Sequence, residues 1–224
     1  MQMNKAWVVI PAYNEEKNII NIIKRTKKYV DKIVLVDDGS KDRTPKFAEN
    51  AGAIVLKHIV NLGKGAALKT GCDYAAKKGA ECMIVLDADA QHNPDNIPRF
   101  IEKLKKYDIV FSYRKTSKKM PFVLQFGNWF ISSAAQVLYG IKLNDTQCGF
   151  RAFSSQVYRR IRWNASDYSM ESEMISRAGR QKLKYVQIPI ETIYSDKYKG
   201  TTVIDGIKIV INMLWWKIFN GNNK

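Results

Sequence analysis

The sequence predicts an α/β fold: a doubly wound, mostly parallel sheet, followed by an extension and a C-terminal amphipathic helix. Three observations carry this. Short apolar runs at Ala6 to Ile10, Ile33 to Val36, Ala53 to Leu56 and Met83 to Leu86 read as strands, the later ones buried on both faces. The segments between them alternate in a βαβαβαβ order, with connections short enough for crossovers. Carboxylates and glycines follow the runs directly, where open α/β sheets present their ligands.

Composition narrows the partners. At 224 residues with 46% apolar content, the chain is one sizeable domain, or one domain with an appendage. Lys and Arg total 37 against 21 acids, a formal charge of +16. Such a field favours nucleotides, nucleic acid or an anionic membrane surface. The three cysteines (Cys72, Cys82, Cys148) form no CxxC pair and there are two histidines, His58 and His92. That argues against zinc and for free thiols in a reducing compartment. Met1 to Lys5 leads straight into a strand with no apolar secretory segment ahead of it, so a cytoplasmic protein is expected.

The first strand is stopped by Pro11, and Pro11-Ala12-Tyr13-Asn14-Glu15-Glu16 follows. Ile19, Ile20, Ile22 and Ile23 have helical spacing, and Asn14 is the expected N-cap, with acids in the first turn. The second strand ends in Asp37-Asp38-Gly39-Ser40, and Asp42-Arg43-Thr44-Pro45 introduces a helix. After the third strand, Asn61 to Leu68 opens a helix that runs to about Lys78. Gly63-Lys64-Gly65 matches two glycines of a dinucleotide fingerprint. Leu68 occupies the third glycine's place, and the motif sits on the third βα unit, so a dehydrogenase is disfavoured.

The fourth strand carries the most informative stretch, Met83 to Leu86 followed by Asp87-Ala88-Asp89-Ala90-Gln91. On an extended backbone residues i and i+2 point the same way, so Asp87 and Asp89 converge. Two carboxylates and a Gln carbonyl suit a hard cation with open positions, Mg2+ or Mn2+, that also takes phosphate oxygens. The competing reading is two loop acids capping the next helix. Beyond it come a strand from Asp108 to Tyr113 leading into Arg114, a basic turn at Lys115 to Lys119, and a helix-compatible Trp129 to Leu138. Asp145-Thr146-Gln147-Cys148-Gly149-Phe150-Arg151, a helix from about Met170 to Gly179, a strand from Tyr185 to Ile188 and the apolar Val203 to Phe219 complete the chain.

Four stretches together resemble the inverting GT-A glycosyltransferases of family 2: Ile10 to Glu15, Val36 to Thr44, Asn61 to Leu68, and Asp87 to Gln91. The Asp-Ala-Asp-x-Gln form and Asp145 to Arg151 are similar to the polyprenyl-phosphate sugar synthases, which include dolichyl-phosphate mannose and glucose synthases. The similarity covers roughly residues 5 to 200. It implies a GT-A domain over 1–200, with a nucleotide-sugar half (1–112) and an acceptor half (113–200), and a separate amphipathic tail over 201–224. It further implies a UDP- or GDP-linked hexose donor, a polyprenyl or dolichyl phosphate acceptor, and Mg2+ or Mn2+.

By the same resemblance, Pro11, Tyr13 and Glu15 line the base and ribose pocket, and Asp37 or Asp38 hydrogen-bonds the base or ribose. Asp89 and Gln91 hold the metal on the diphosphate, with Asp87 beside them. Lys64 stands at a glycine-rich helix entrance, where it meets phosphate or solvent. Arg114, Arg151 and Lys199 are the acceptor-side cations, and Glu173, with Glu171 as the weaker choice, the acceptor-side acid. Glu171 and Glu173 also fit simple capping of a helix's first turn. His92 is expected to shape the loop after the metal motif. One departure stands out: mannosyl-type synthases carry a second arginine on the helix after the Arg114 strand. Here Gln125 to Asn128 is uncharged, leaving Lys118 and Lys119 as substitutes.

In Val203 to Phe219, Asp205, Lys208 and Asn212 fall on one narrow stripe at helical spacing. As a helix this segment rises about 26 Å, short of a bilayer core. An in-plane interfacial helix anchored by Trp215 and Trp216 is the favoured reading, giving a peripheral protein on the cytoplasmic face. A helix packed on the domain, a homodimer contact or a separate membrane partner remain open. Nucleic acid is disfavoured, because carboxylates gathered at strand ends repel its phosphates. A family 2 enzyme acting on a polysaccharide or other hydroxyl acceptor is the alternative function.

Overall fold

The computed structural model describes residues 5–114, 122–191 and 203–219, the side chains of 122–126 and 203–205 excepted. Seven strands form one sheet: β1 (Ala6–Ala12), β2 (Lys32–Asp37), β3 (Ile54–Lys57), β4 (Cys82–Val85), β5 (Ile109–Arg114), β6 (Arg151–Ser154) and β7 (Tyr185–Ile190). Their spatial order is β3-β2-β1-β4-β6-β5-β7. Eight helices flank it: α1 (Ile19–Thr26), α2 (Thr44–Asn50), α3 (Lys64–Lys77), α4 (Ile97–Lys103), α5 (Phe122–Tyr139), α6 (Ser155–Ile161), α7 (Met170–Arg180) and α8 (Val203–Phe219).

Period-2 patterning splits the strands between two cores, as a sheet covered on both faces requires. Trp7, Val9, Val34, Val36, Met83 and Val85 enter the core under α3, α5, α6, α7 and α8. Val8, Ile10, Ile33, Leu35 and Ile84 enter the opposite core, with Phe100 and Ile101 of α4 and Ile19, Ile22 and Ile23 of α1.

The expected parallel βαβ rhythm holds for β1 to β4. The strand that sequence reading missed is β6, which runs antiparallel to both β4 and β5. It is four residues long and opens on Arg151, a charged residue that hides the strand from any hydrophobicity pattern. Two antiparallel pairings in succession restore direction, so β5 runs parallel to β4. Arg114 therefore emerges at the same sheet edge as Asp87.

Asn14 does not cap α1. The helix starts later, at Ile19, after a turn that Glu15 anchors by accepting from the N–H groups of Asn18 and Ile19. No acid lies in the first turn of α1. Asn14 instead takes a left-handed φ of 55°. Its side chain accepts from the Lys41 N–H, and its own N–H donates to Ser40, tying the β1 loop to the β2 loop.

The α8 helix docks on the domain through Ile209 and Met213, and Tyr139 of α5 donates to the Met213 carbonyl. Asn212, one of the residues on the polar stripe, turns toward Ser169 at the head of α7. The outward side carries Ile207, Ile211, Leu214, Trp215, Ile218 and Phe219, all exposed. Among the described residues no helix is long and apolar enough to cross a membrane.

Candidate active site

The C-terminal ends of β1, β2, β4 and β5 open into a cleft of about 340 Å³. Asp87, Asp89, Gln91, Lys64, Arg114 and Asp38 all reach it, as do Pro11, Tyr13 and Glu15. Tyr13 stands at the rim, 42% exposed.

The two aspartates converge by a route that differs from the extended one expected. β4 ends at Val85, and the chain turns through Ala90 at a left-handed φ of 61°. Asp89 stabilises that turn by accepting the Gln91 N–H at 3.0 Å.

The electrostatics centre on Lys64, whose ammonium lies 2.8 Å from Asp87 and 3.0 Å from Glu171. Burial alone would lower its pKa, but the two carboxylates override that and raise it. Burial pushes Asp87 upward, and Lys64 more than compensates, leaving its carboxyl below the ordinary value. Asp89 lacks such a partner. Burial and the neighbouring Asp87 charge hold it above the usual carboxylate range. Burial likewise holds His92 below its ordinary pKa.

Two glycines make the Lys64 position reachable. A Cβ on Gly63 would stand 2.5 Å from the Ser166 carbonyl, and one on Gly65 2.5 Å from that of Ala165. Gly63 also holds a φ of 96°. The glycine pair thus serves close approach of the α3 entrance to the 165–167 loop, a different job from a dinucleotide fingerprint.

The donor set fits a divalent cation. Asp87, Asp89 and Gln91 offer two carboxylates and an amide in a desolvated cleft, with Asp89 short of positive charge. Hard-cation sites of this type leave positions for phosphate oxygens. Two buried atoms on the same walls, Glu171 Oε2 and His92 Nδ1, find no hydrogen-bond partner among the described residues, and such orphaned polar atoms call for a partner from outside the chain.

Other expected site residues are placed differently. Asp37 is buried and does not reach the cleft; its carboxylate accepts from the Ser40 N–H at 3.3 Å. Asp38 lines the cleft but spends its oxygens on the N–H groups of Leu62 and Gly63 and on His58. It therefore shapes the 58–63 loop.

Arg151 is 1% exposed, and its guanidinium donates to the carbonyls of Thr146, Cys148 and Glu171. It cannot meet an acceptor; it is the internal brace of the Asp145 to Arg151 stretch. Methionine at this position should leave those carbonyls unsatisfied at about 1–3 kcal/mol each. Arg151→Met is therefore expected to lower the melting midpoint by at least about 6 °C, read by thermal denaturation. A variant of normal stability that lost only acceptor affinity would restore the binding role.

Glu173 also lies outside the cleft. Its carboxylate accepts from the N–H groups of Asn164 and Ala165 and pairs with Arg177 at 2.7 Å. Residues two apart on a helix diverge by about 200°, so only one of Glu171 and Glu173 lines the cleft, and it is Glu171. Lys199, Lys118 and Lys119 fall outside the described residues, as does the Gln125 side chain. Asn128, in the uncharged stretch, donates to the Asn144 carbonyl and accepts from the Thr146 N–H, positioning Asp145.

Sequence reading missed Gln147 and Tyr168. Tyr168 is 52% exposed at the cleft, its ring 5.8 Å from the Lys64 ammonium. It sits in a turn before α7, where no spacing rule would single it out. Gly149 carried a signal that was not used: a Cβ there would strike the Asp87 carboxylate.

Residues 7–162 match the family model described as glycosyl transferase family 2. The chain belongs to that family. It is a glycosyltransferase with the GT-A fold.

A UDP-N-acetylglucosamine–dolichyl-phosphate N-acetylglucosaminyltransferase from Methanococcus voltae is 34% identical, over 95% of this chain and 96% of the relative. An undecaprenyl-phosphate mannosyltransferase from Micrococcus luteus is 26% identical, over 95% and 93%. Among solved structures, glucosyl-3-phosphoglycerate synthase from Mycobacterium tuberculosis, in complex with Mn2+, UDP and its product, superposes with a TM-score of 0.74. It shares 21% identity over 94% of this chain and 80% of that one, a likeness of fold.

Proposed function

We propose that this family 2 glycosyltransferase moves a hexose-class sugar from a nucleotide sugar, UDP-linked in preference to GDP-linked, to a polyprenyl or dolichyl phosphate, with inversion. The observation that carries it is one cleft holding Asp87, Asp89 and Gln91 on one wall and Arg114 on another. The names of the relatives support the acceptor class, and the UDP in the name of the 34% identical relative supports the donor.

In this reading residues 1–112 hold the donor and 113–200 the acceptor. Asp87, Asp89 and Gln91 would hold Mg2+ or Mn2+, which supplies charge neutralisation for the departing diphosphate. Lys64 meets the diphosphate from the α3 entrance, and Tyr13 and Pro11 border the nucleoside. Asp145 grips Arg114 at 2.6 and 3.1 Å. That fork fixes the guanidinium plane at the cleft wall, where it can hold the acceptor phosphate in line with the anomeric carbon.

A lipid phosphate is an anion near neutral pH, so no strong general base is required. Two of the cleft's carboxylates, Asp87 and Glu171, share the Lys64 ammonium, and that pairing disfavours them as bases for a hydroxyl acceptor. The acceptor headgroup stays at the bilayer boundary. The enzyme therefore works as a peripheral protein, with the exposed side of α8 toward the lipid.

The test is a panel of UDP- and GDP-sugars offered with Mn2+ and a short-chain polyprenyl phosphate, the product's anomeric configuration being read by NMR. A single inverted glycosyl phosphate from a UDP donor is expected. Transfer to sugar hydroxyls but never to the lipid phosphate would overturn the acceptor.

A further inference from the structure

A second and larger cavity, of about 1040 Å³, lies away from the active-site cleft. It forms where the C-terminal ends of α5, α7 and α8 converge. Tyr139 closes α5 there, Arg177 and Arg180 end α7, Lys182 follows, and Trp216 and Lys217 arrive from α8. The direction of α8 is fixed by its contacts. Gly206 lies over Ile131, Asn212 over Ser169, and Tyr139 reaches Met213. α8 therefore runs parallel to α5, and their last turns meet the end of α7.

Basic residues at helix C-termini have an ordinary explanation, since each such end carries about half a negative charge. Three ends account for about one and a half positive charges. Among the described lining residues, Arg177 pairs with the one carboxylate, Glu173, and the exposed Lys182 and Lys217 by themselves exceed that count. Arg180 and Lys217 both stand 5.7 Å from the Tyr139 ring centre, so their heads are gathered round one aromatic floor. Lys182, at a left-handed φ of 50°, turns the chain out of α7 at the rim.

The surroundings indicate the kind of anion. Val137 on the cavity wall is 84% exposed, and α8 continues past Lys217 into Ile218 and Phe219, 66% and 58% exposed. A cationic hollow set among protruding apolar side chains matches a lipid, with its phosphate inside and its acyl chains beside the rim.

We propose that this cavity binds the phosphate of an anionic phospholipid headgroup and so anchors the α8 side of the enzyme on the bilayer. The active-site cleft meets α7 at Glu171, and Arg180 in the cavity lies about 14 Å farther along the helix. A headgroup held here therefore sets the enzyme's orientation without entering the reaction. This deepens the proposed function and rests on it only for its purpose. The test uses neither donor nor acceptor, so the two can fail separately.

The full chain is sedimented with phosphatidylcholine vesicles with and without phosphatidic acid. Lys182→Glu and Lys217→Glu, both at exposed positions, are compared with Lys208→Glu on the same helix outside the cavity and Lys24→Glu on the opposite sheet face. Each cavity variant should weaken binding to the anionic vesicles about tenfold, or about 1.4 kcal/mol, and the two controls far less. Unchanged melting midpoints and unchanged transfer to a short, soluble acceptor would show that the fold and active site are intact. Equal losses from Lys208→Glu would overturn the proposal in favour of diffuse attraction. No loss from either cavity variant would also overturn it. If inorganic phosphate raises the wild-type midpoint through Lys182 and Lys217 while vesicles bind all variants alike, the occupant is a soluble phosphate and the lipid is rejected.

Discussion

Asp89→Ala is expected to lose divalent-dependent nucleotide binding by on the order of 100-fold, about 2.7 kcal/mol, while the protein stays folded. Asp89 is held above the ordinary carboxylate range by burial and by Asp87, so in the free protein its charge is a cost. A cation between the two aspartates reverses that cost, and the removal of one ligand forfeits the gain. The fold should tolerate the change. Among the described residues the Asp89 carboxylate accepts the Gln91 N–H within its own turn, and a loop turn costs little to loosen.

Calorimetric titration of UDP with Mn2+, repeated in EDTA, is the measurement. Wild type in EDTA should resemble Asp89→Ala in Mn2+. Asp89→Asn, which keeps the acceptor for Gln91 but loses the charge, should fall with the alanine variant. UDP binding by wild type that ignored EDTA would reject the metal role.

The fold was legible because β1 to β4 are short continuous apolar runs, as strands covered on both faces are, and end in turn chemistry that has few other uses. Legibility failed where a charge was buried. Arg151 opens β6 and satisfies three carbonyls, a role that looks like a surface cation until the burial is known. Asp37 and Glu173 are likewise buried carboxylates that accept from backbone N–H groups, a placement the sequence does not show. In the Asp87 to Gln91 stretch, by contrast, local order and spatial order coincide, because all three residues leave a single strand end. The helix α8 shows a third case. Its pattern correctly marked a helix with an apolar side, but which side meets the domain depends on Tyr139 and Ser169, contributed by distant elements.

Arg114 carries the other large effect. Its guanidinium stands at the end of β5, held bidentately by Asp145, which is 3% exposed. Arg114→Ala would strand that buried carboxylate, and breaking a buried pair costs about 3–5 kcal/mol. Lost activity in the alanine variant would therefore confound binding with folding. Arg114→Lys separates them: it keeps the positive charge for Asp145 but removes the planar fork. With lysine, the melting midpoint should fall only slightly and UDP affinity should hold. The kcat/KM for polyprenyl phosphate should drop roughly 100-fold, because a phosphate held by a single point charge is no longer aligned with the anomeric carbon. Steady-state kinetics with each substrate varied in turn will decide. A loss confined to the donor would move Arg114 to the diphosphate side, and an unchanged acceptor kcat/KM would remove it from the reaction.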